Sequence, residues 1–168
     1  MNHIKLTALE IPHYEKFIAM NQKAFMKAVV EHFGAQEEEV ISREDILRSL
    51  NDPDAESFWI LLDGEIVGGV VVCIHEENQH NALDLLFVDP TFHGQNIGYR
   101  VWQLIESMYP DTVVWETHTP YFETRNIHFY VNKCGFSIVE FFNPQHPEEH
   151  SADTPGGELF FRFEKRMK

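Results

Sequence analysis

Apolar residues along this chain change their spacing repeatedly, and each change marks an element. Ile4–Ala8 alternates apolar and polar positions, as a half-buried strand does. From residue 12 to about residue 33, Tyr14, Phe17, Ile18 and Phe25 recur near one helical face, and Gly34 closes the segment. Glu37, Glu38 and Glu39 mark an exposed turn. Ser42, with Asp45 three residues on, reads as a helix N-cap ahead of Ile46, Leu47 and Leu50 on the buried side of a short helix. Residues 58–62 and 66–74 are apolar runs separated by Asp63-Gly64, two positions that tolerate the positive φ of a tight hairpin turn. A polar turn over residues 76–81 leads to a further strand at residues 82–88.

The period then becomes helical. Ile97, Val101, Leu104, Ile105 and Met108 share one face, and Pro110 stops that helix. Residues 112–117 return to strand, and a strand–helix–strand crossover is right-handed with parallel strands. Ile127, Tyr130, Val131 and Cys134 mark a second helical face that ends at Gly135. Residues 136–142 and 159–164 are the last strands. Residues 143–157 between them are rich in Pro, Gly, Glu and His, and a loop of that length is either functional or a surface hairpin. The pattern predicts a mixed α/β fold. Its central sheet is mostly antiparallel with one parallel crossover and is flanked by helices, in a single domain over residues 1–168.

Composition narrows the function. The formal net charge is -14 and no basic stripe is visible, which argues against a nucleic-acid partner. The acidity fits a cationic partner such as an amine, or simply a solvated surface. Cys73 and Cys134 lie far apart in apolar contexts, as buried reduced thiols do. The N-terminus carries no basic-then-apolar signal pattern, and the longest apolar run, residues 66–74, falls short of the roughly 20 residues a bilayer crossing needs. A cytoplasmic protein with no membrane partner is expected. His146 and His150 imitate a metal-binding helix, but Pro147 disrupts the spacing, so no metal is expected.

The densest chemistry lies in residues 83–100. A strand, Leu83-Asp84-Leu85-Leu86-Phe87-Val88, runs through Asp89-Pro90 into the turn His93-Gly94-Gln95-Asn96-Ile97-Gly98, which opens an amphipathic helix. Free amides and partial positive charge at a helix N-terminus suit a phosphate, and the glycines let a bulky anion approach the backbone. This stretch resembles the acetyl-CoA signature of the GNAT superfamily of N-acetyltransferases, an aliphatic-aromatic-Val strand end, a Pro, then Gln/Arg-x-x-Gly-x-Gly/Ala. His93 stands where Gln or Arg is usual and Asn96 where Gly is usual. Asn is the non-glycine residue that best tolerates a left-handed backbone. Tyr99 and Arg100 are bulkier than the residues usual there. Downstream, Asn126, Tyr130 and Gly135-Phe136 resemble the family's Asn…Tyr-x-x-x-Gly-Phe helix with slight respacing.

The resemblance implies a GNAT-like fold with acetyl-CoA as cosubstrate. The strand ending at Val88 and the next one would splay, with pantetheine between them. Backbone groups of Leu86, Phe87 and Val88 would bind its amides and polarise the thioester carbonyl. His93, Gly94, Gln95, Asn96, Ile97, Gly98 and Tyr99 would hold the pyrophosphate, Asn126 would steady the arm, and Tyr130 would protonate the departing thiolate. A primary amine, pKa near ~10.4, needs a base. Asp84 and Glu116 are the candidates, with His118 beside Glu116, and a water chain is an alternative. The acceptor, a small-molecule or peptide amine, would enter past the first helices and residues 143–157. Phe25, Phe33, Trp115, Tyr121 and Phe122 would make that mouth partly apolar. Members of the superfamily often form homodimers. The rival reading is a non-catalytic acyl-CoA-binding or regulatory module on the same fold.

Overall fold

The computed structural model describes residues 3–34, 41–147 and 159–168. Its strands are β1 (Ile4–Ala8), β2 (Ala55–Leu62), β3 (Glu65–Cys73), β4 (His80–Val88), β5 (Val114–Pro120), β6 (Ser137–Phe142) and β7 (Phe160–Arg166). They form one sheet in the order β1-β2-β3-β4-β5-β7-β6. Only β4 and β5 run parallel; the other neighbours pair antiparallel. The helices are α1 (Tyr14–Phe33), α2 (Arg43–Leu50), α3 (Ile97–Met108) and α4 (Thr124–His128). The fold class is as expected, and the local signals act as predicted. Ser42 Oγ accepts from the Asp45 amide at 3.1 Å. Asp63 and Gly64 take φ of 50° and 87° in the β2–β3 turn. Glu37 to Glu39 fall outside the described residues.

Both faces of the sheet are covered. On one, Ile60, Val70 and Leu83 pack with Val101, Trp102 and Ile105 of α3 and with Phe163. Trp115 belongs to this core rather than to the mouth where it was expected. It is 0% exposed, with its ring 5.0 Å from that of Trp102. Its alternation on β5 turns it away from the acceptor side. On the other face, Trp59, Val71 and Phe87 lie under Phe17 and Ile18 of α1 and Ile46 and Leu50 of α2. Each such burial stabilises the fold by about 1.5–3 kcal/mol.

Two details position the site. First, α1 sits very close to the sheet. A Cβ on Gly69 would lie 2.3 Å from the Phe17 ring, and one on Gly68 would lie 2.1 Å from Phe87 O. Second, Val72 pairs Leu83 while Val71 pairs Leu85, so Asp84 is the extra residue of a β-bulge. After it, Leu86 and Val88 share the α3 face with Leu83, and Leu85 and Phe87 turn to α1.

β5 starts two residues later than predicted and runs on to Pro120. Thr112 is spent on the turn. Its hydroxyl accepts from Asn81 Nδ2 at 2.8 Å and donates to Tyr109 O at 2.8 Å.

Candidate active site

Pairing between β4 and β5 is confined to His80↔Val114, Asn81↔Trp115 and Ala82↔Glu116. One side-chain bond follows, Thr117 Oγ1 to Leu83 O at 2.9 Å. Beyond it a cleft of about 610 Å³ runs between the strands. The bulge at Asp84 bends β4, and Pro120 has no amide to donate, so the ladder has reason to end here. Asp84 to Val88 line one wall and His118 to Pro120 the other. The unpaired edge leaves alternate backbone groups of β4 facing the gap. α1 and α4 flank the opening.

At one end of the cleft lies the turn between β4 and α3. Asp89 Oδ1 accepts from the amide and hydroxyl of Thr91, at 3.0 and 2.9 Å, and fixes the chain after Val88. Gly94 has φ 87°. Asn96, the N-cap residue of α3, sits in the left-handed region at φ 60°, ψ 24°. That is the conformation its replacement of glycine requires. The Asn96 side chain makes no cap bond to the first turn of α3, and the leading amides of a helix have no helical partner. The Asn96 side-chain oxygen Oδ1 instead accepts from Lys133 Nζ at 3.3 Å. A Cβ on Gly98 would lie 3.2 Å from the Phe129 ring, which holds α3 and α4 together.

His93, where the family pattern has Gln or Arg, donates from Nε2 to Val88 O at 3.0 Å. Burial lowers its pKa, and Arg125 and Lys27 lower it further. Lys27, Arg125 and Lys133 line the cleft with it.

α4 explains the respacing around Tyr130. The helix passes into a π turn, Phe129–Lys133, closed by the Cys134 amide on Phe129 O at 3.0 Å. A π turn takes up one extra residue within a helix. Four residues lie between Tyr130 and Gly135 where the family pattern has three, and the phenol still lines the cleft. Tyr130 is buried, and burial raises its pKa, while a hydrogen bond with Thr117 acts the other way.

Most of the expected residues meet here. Leu86, Phe87, Val88, His93, Gly94, Asn96, Ile97, Gly98, Tyr99, Asn126 and Tyr130 all line the cleft, and Gln95 does not. Arg100 lines a separate open hollow with His3 and Gln103. Asp84 opens on the cleft. Burial raises its pKa, opposed by hydrogen bonds from Ser49 and Cys73, the latter with Sγ 3.7 Å from Oδ2. Cys73 is a buried thiol pushed up to about 12 by burial and by Asp84.

Glu116 does not join the cleft. Its carboxylate accepts from Arg162 Nη1 at 2.9 Å, on a face where Arg162 also holds Glu164 and Glu140. His80, Glu116 and Glu164 bring ligand-type atoms within 4.8 Å of one another, but Arg162 already occupies both carboxylates. His146 stacks on Phe142 at 5.2 Å and bonds Glu140, while His150 lies outside the described residues.

Asn21, Lys27 and Glu31 on α1, and Glu123, Arg125 and Lys133 around α4, also line the cleft, although the sequence motifs assign them no part in the site. Asn21 had a signal, a polar residue on the apolar stripe of α1, 4% exposed. Phe25 lines the cleft and meets Phe122 edge-on at 6.4 Å. The side chain of Phe33 and residues 148–158 lie outside what is described.

Residues 20–136 match the model of the Acetyltransferase (GNAT) family. The chain belongs to the GNAT family. A Bacillus subtilis relative, the uncharacterized protein YrkN, is 49% identical over 95% of this chain and 89% of its own length. The PaiA N-acetyltransferase of Thermoplasma acidophilum, solved with coenzyme A, superposes with a TM-score of 0.69 at 19% identity, covering 98% of this chain and 99% of that one. The ribosomal-protein-S18-alanine N-acetyltransferase of Escherichia coli has a TM-score of 0.71 at 14% identity, covering 100% and 95%. Spermidine N-acetyltransferase from Vibrio cholerae, solved with CoA and spermine, has a TM-score of 0.69 at 12% identity, covering 97% and 95%. Among the described residues, no helix is long and apolar enough to cross a membrane.

Proposed function

We propose that this chain is an acetyl-CoA-dependent N-acetyltransferase in which a bound amine attacks the thioester directly. The observation that carries the proposal is the cleft between β4 and β5, with the left-handed turn at one end and the buried phenol of Tyr130 in its wall. The parts fit the cosubstrate in kind. The uncapped amides of α3, with Lys133, Arg125 and Lys27 close by, suit a pyrophosphate in a chain of net charge -14. The free edge of β4 suits the pantetheine amides, and an amide there would polarise the thioester carbonyl and stabilise the developing oxyanion. Asn126 steadies the arm. Tyr130 gives its proton to the departing sulfur, and its raised pKa keeps it protonated until then. Two bound substrates held in line supply much of the rate by position alone.

The acceptor class is an amine. Structural neighbours with this fold include a spermidine N-acetyltransferase and a ribosomal-protein-S18-alanine N-acetyltransferase, which supports an amine on either a small molecule or a protein as the acceptor. Asn96 in a left-handed conformation removes the main reason to read the chain as a non-catalytic module. The test incubates the purified protein with acetyl-CoA and a library of amines and peptides and follows free thiol. Turnover with at least one amine is expected. CoA binding without turnover for any acceptor would make the chain an acyl-CoA-binding module, and no CoA binding would remove both readings.

A further inference from the structure

An ammonium acceptor must lose a proton before it attacks, and the carboxylates of the molecule differ in their freedom to take it. Glu116 is held by Arg162, and Asp84 by Cys73 and Ser49. Glu123 is different. It is 7% exposed and lines the cleft, yet no hydrogen bond reaches its carboxylate among the described residues. Its backbone is fixed at both ends, by its amide on Pro120 O at 3.1 Å and by the Ile127 amide on its own carbonyl at 3.0 Å. A buried carboxylate without a partner is costly, and one that faces a binding cleft calls for a cationic ligand.

The surroundings agree. Glu123 shares the cleft with the ionisable groups Lys27 and Glu31 of α1, Asp84 of β4, Tyr99 of α3, His118 of β5, and Arg125 and Tyr130 of the α4 segment. His93 and Lys133 belong to the turn end. Of these, Arg125 favours the ionised form of Glu123 and Glu31 opposes it. Burial is the larger influence and pushes the carboxyl up to about 7. A base is most effective when its pKa lies near the working pH. Glu123 also acts electrostatically on Tyr130, so base and acid share one neighbourhood.

We infer that Glu123 receives the acceptor's primary ammonium group and removes its proton, a step that rests on the acetyl transfer proposed above. The carboxylate takes one proton from R–NH₃⁺. The freed lone pair forms the C–N bond at the thioester carbonyl, and the C–S bond breaks. The sulfur leaves with the proton of Tyr130, the second nitrogen proton restores the phenol, and the proton on Glu123 passes to solvent. Atoms and charge balance as amine cation plus thioester giving amide, thiol and one proton.

The test measures kcat/KM against pH for the wild type, Glu123→Gln and Glu123→Asp. Spermidine and an N-terminal-alanine peptide serve as amine probes at saturating acetyl-CoA, and CoA affinity is measured alongside as a readout of folding. The wild type should show a limb that rises with its midpoint near pH 7 and levels off above it. Glu123→Gln should lose that limb and fall on the order of a hundredfold with CoA affinity unchanged, and Glu123→Asp should restore the limb at a lower rate. An active wild type whose limb and rate survive in Glu123→Gln would overturn the inference while leaving acetyl transfer standing. A wild type that binds CoA but acetylates neither these probes nor any library amine would overturn acetyl transfer itself, and this step with it.

Discussion

The two ends of the cleft are built in opposite ways. The turn end comes from nearly contiguous chain, Val88 through Tyr99, and works through backbone shape: Gly94 at φ 87°, Asn96 at φ 60°, amides without a cap. Side chains from elsewhere add charge there, Lys27 and Arg125 acting on His93 and Lys133 bonding Asn96. The far end has no contiguous piece. Glu31 comes from α1, Asp84 from a bulge in β4, His118 from β5 and Glu123 from the link to α4. Arg125 acts on both His93 and Glu123 and so links the basic and acidic groups. Lys27 acts on His93 and Glu31 on Glu123, about one helical turn apart on α1, so one helix serves both ends. A chain of net charge -14 thus keeps a positive patch where a phosphate would sit and leaves acids where an amine would enter.

Four substitutions probe that contrast. Tyr130→Phe should slow turnover on the order of a hundredfold and leave CoA affinity nearly intact. Equal rates in a stopped thiol assay would remove Tyr130 as the acid. Gly94→Val forces a β-branched residue to φ 87° and should weaken CoA binding about tenfold. The acceptor KM at saturating acetyl-CoA should stay unchanged, and a shift there would show that the ends are not separable. Lys133→Ala should cost about threefold in CoA affinity by calorimetry, and the loss should shrink as salt is raised.

The smallest effect is on stability. The Glu123 carboxyl ionises near 7 in the folded chain against an ordinary 4.5. Between those values the folded state holds more protons than the unfolded state, so this group's contribution to stability is lost as pH rises. Thermal melts of Glu123→Gln should gain on the wild type from pH 5 to pH 8, and a constant gap would argue against the raised pKa.

The same contrast explains what could be read from the residues. Short-range signals acted where they stand: the Ser42 cap, the Asp63-Gly64 turn and the left-handed Asn96 each depend on a few neighbouring atoms. The turn end of the site was legible for that reason. Trp115 and Glu116 were misjudged because the face a β5 residue takes, and its partner, are set across the sheet. Trp102 packs on one and Arg162 claims the other. The β4 bulge was hidden too, since an unpaired residue shows only against its neighbouring strand. Glu123 sits 92 or more residues from Lys27 and Glu31 across the α1–α4 gap, and no spacing rule joins it to them.

The π turn at Phe129–Lys133 bears on how relatives of this chain should be aligned. Counting back four places from Gly135 lands on Val131, an apolar residue with no proton to give. A rigid comparison would score the chain as having lost its acid and would place the compensating gap in a neighbouring loop. The extra residue belongs inside the helix. Moving the gap there restores the phenol to its column, and sequences that look inactive by motif alone regain a candidate proton donor.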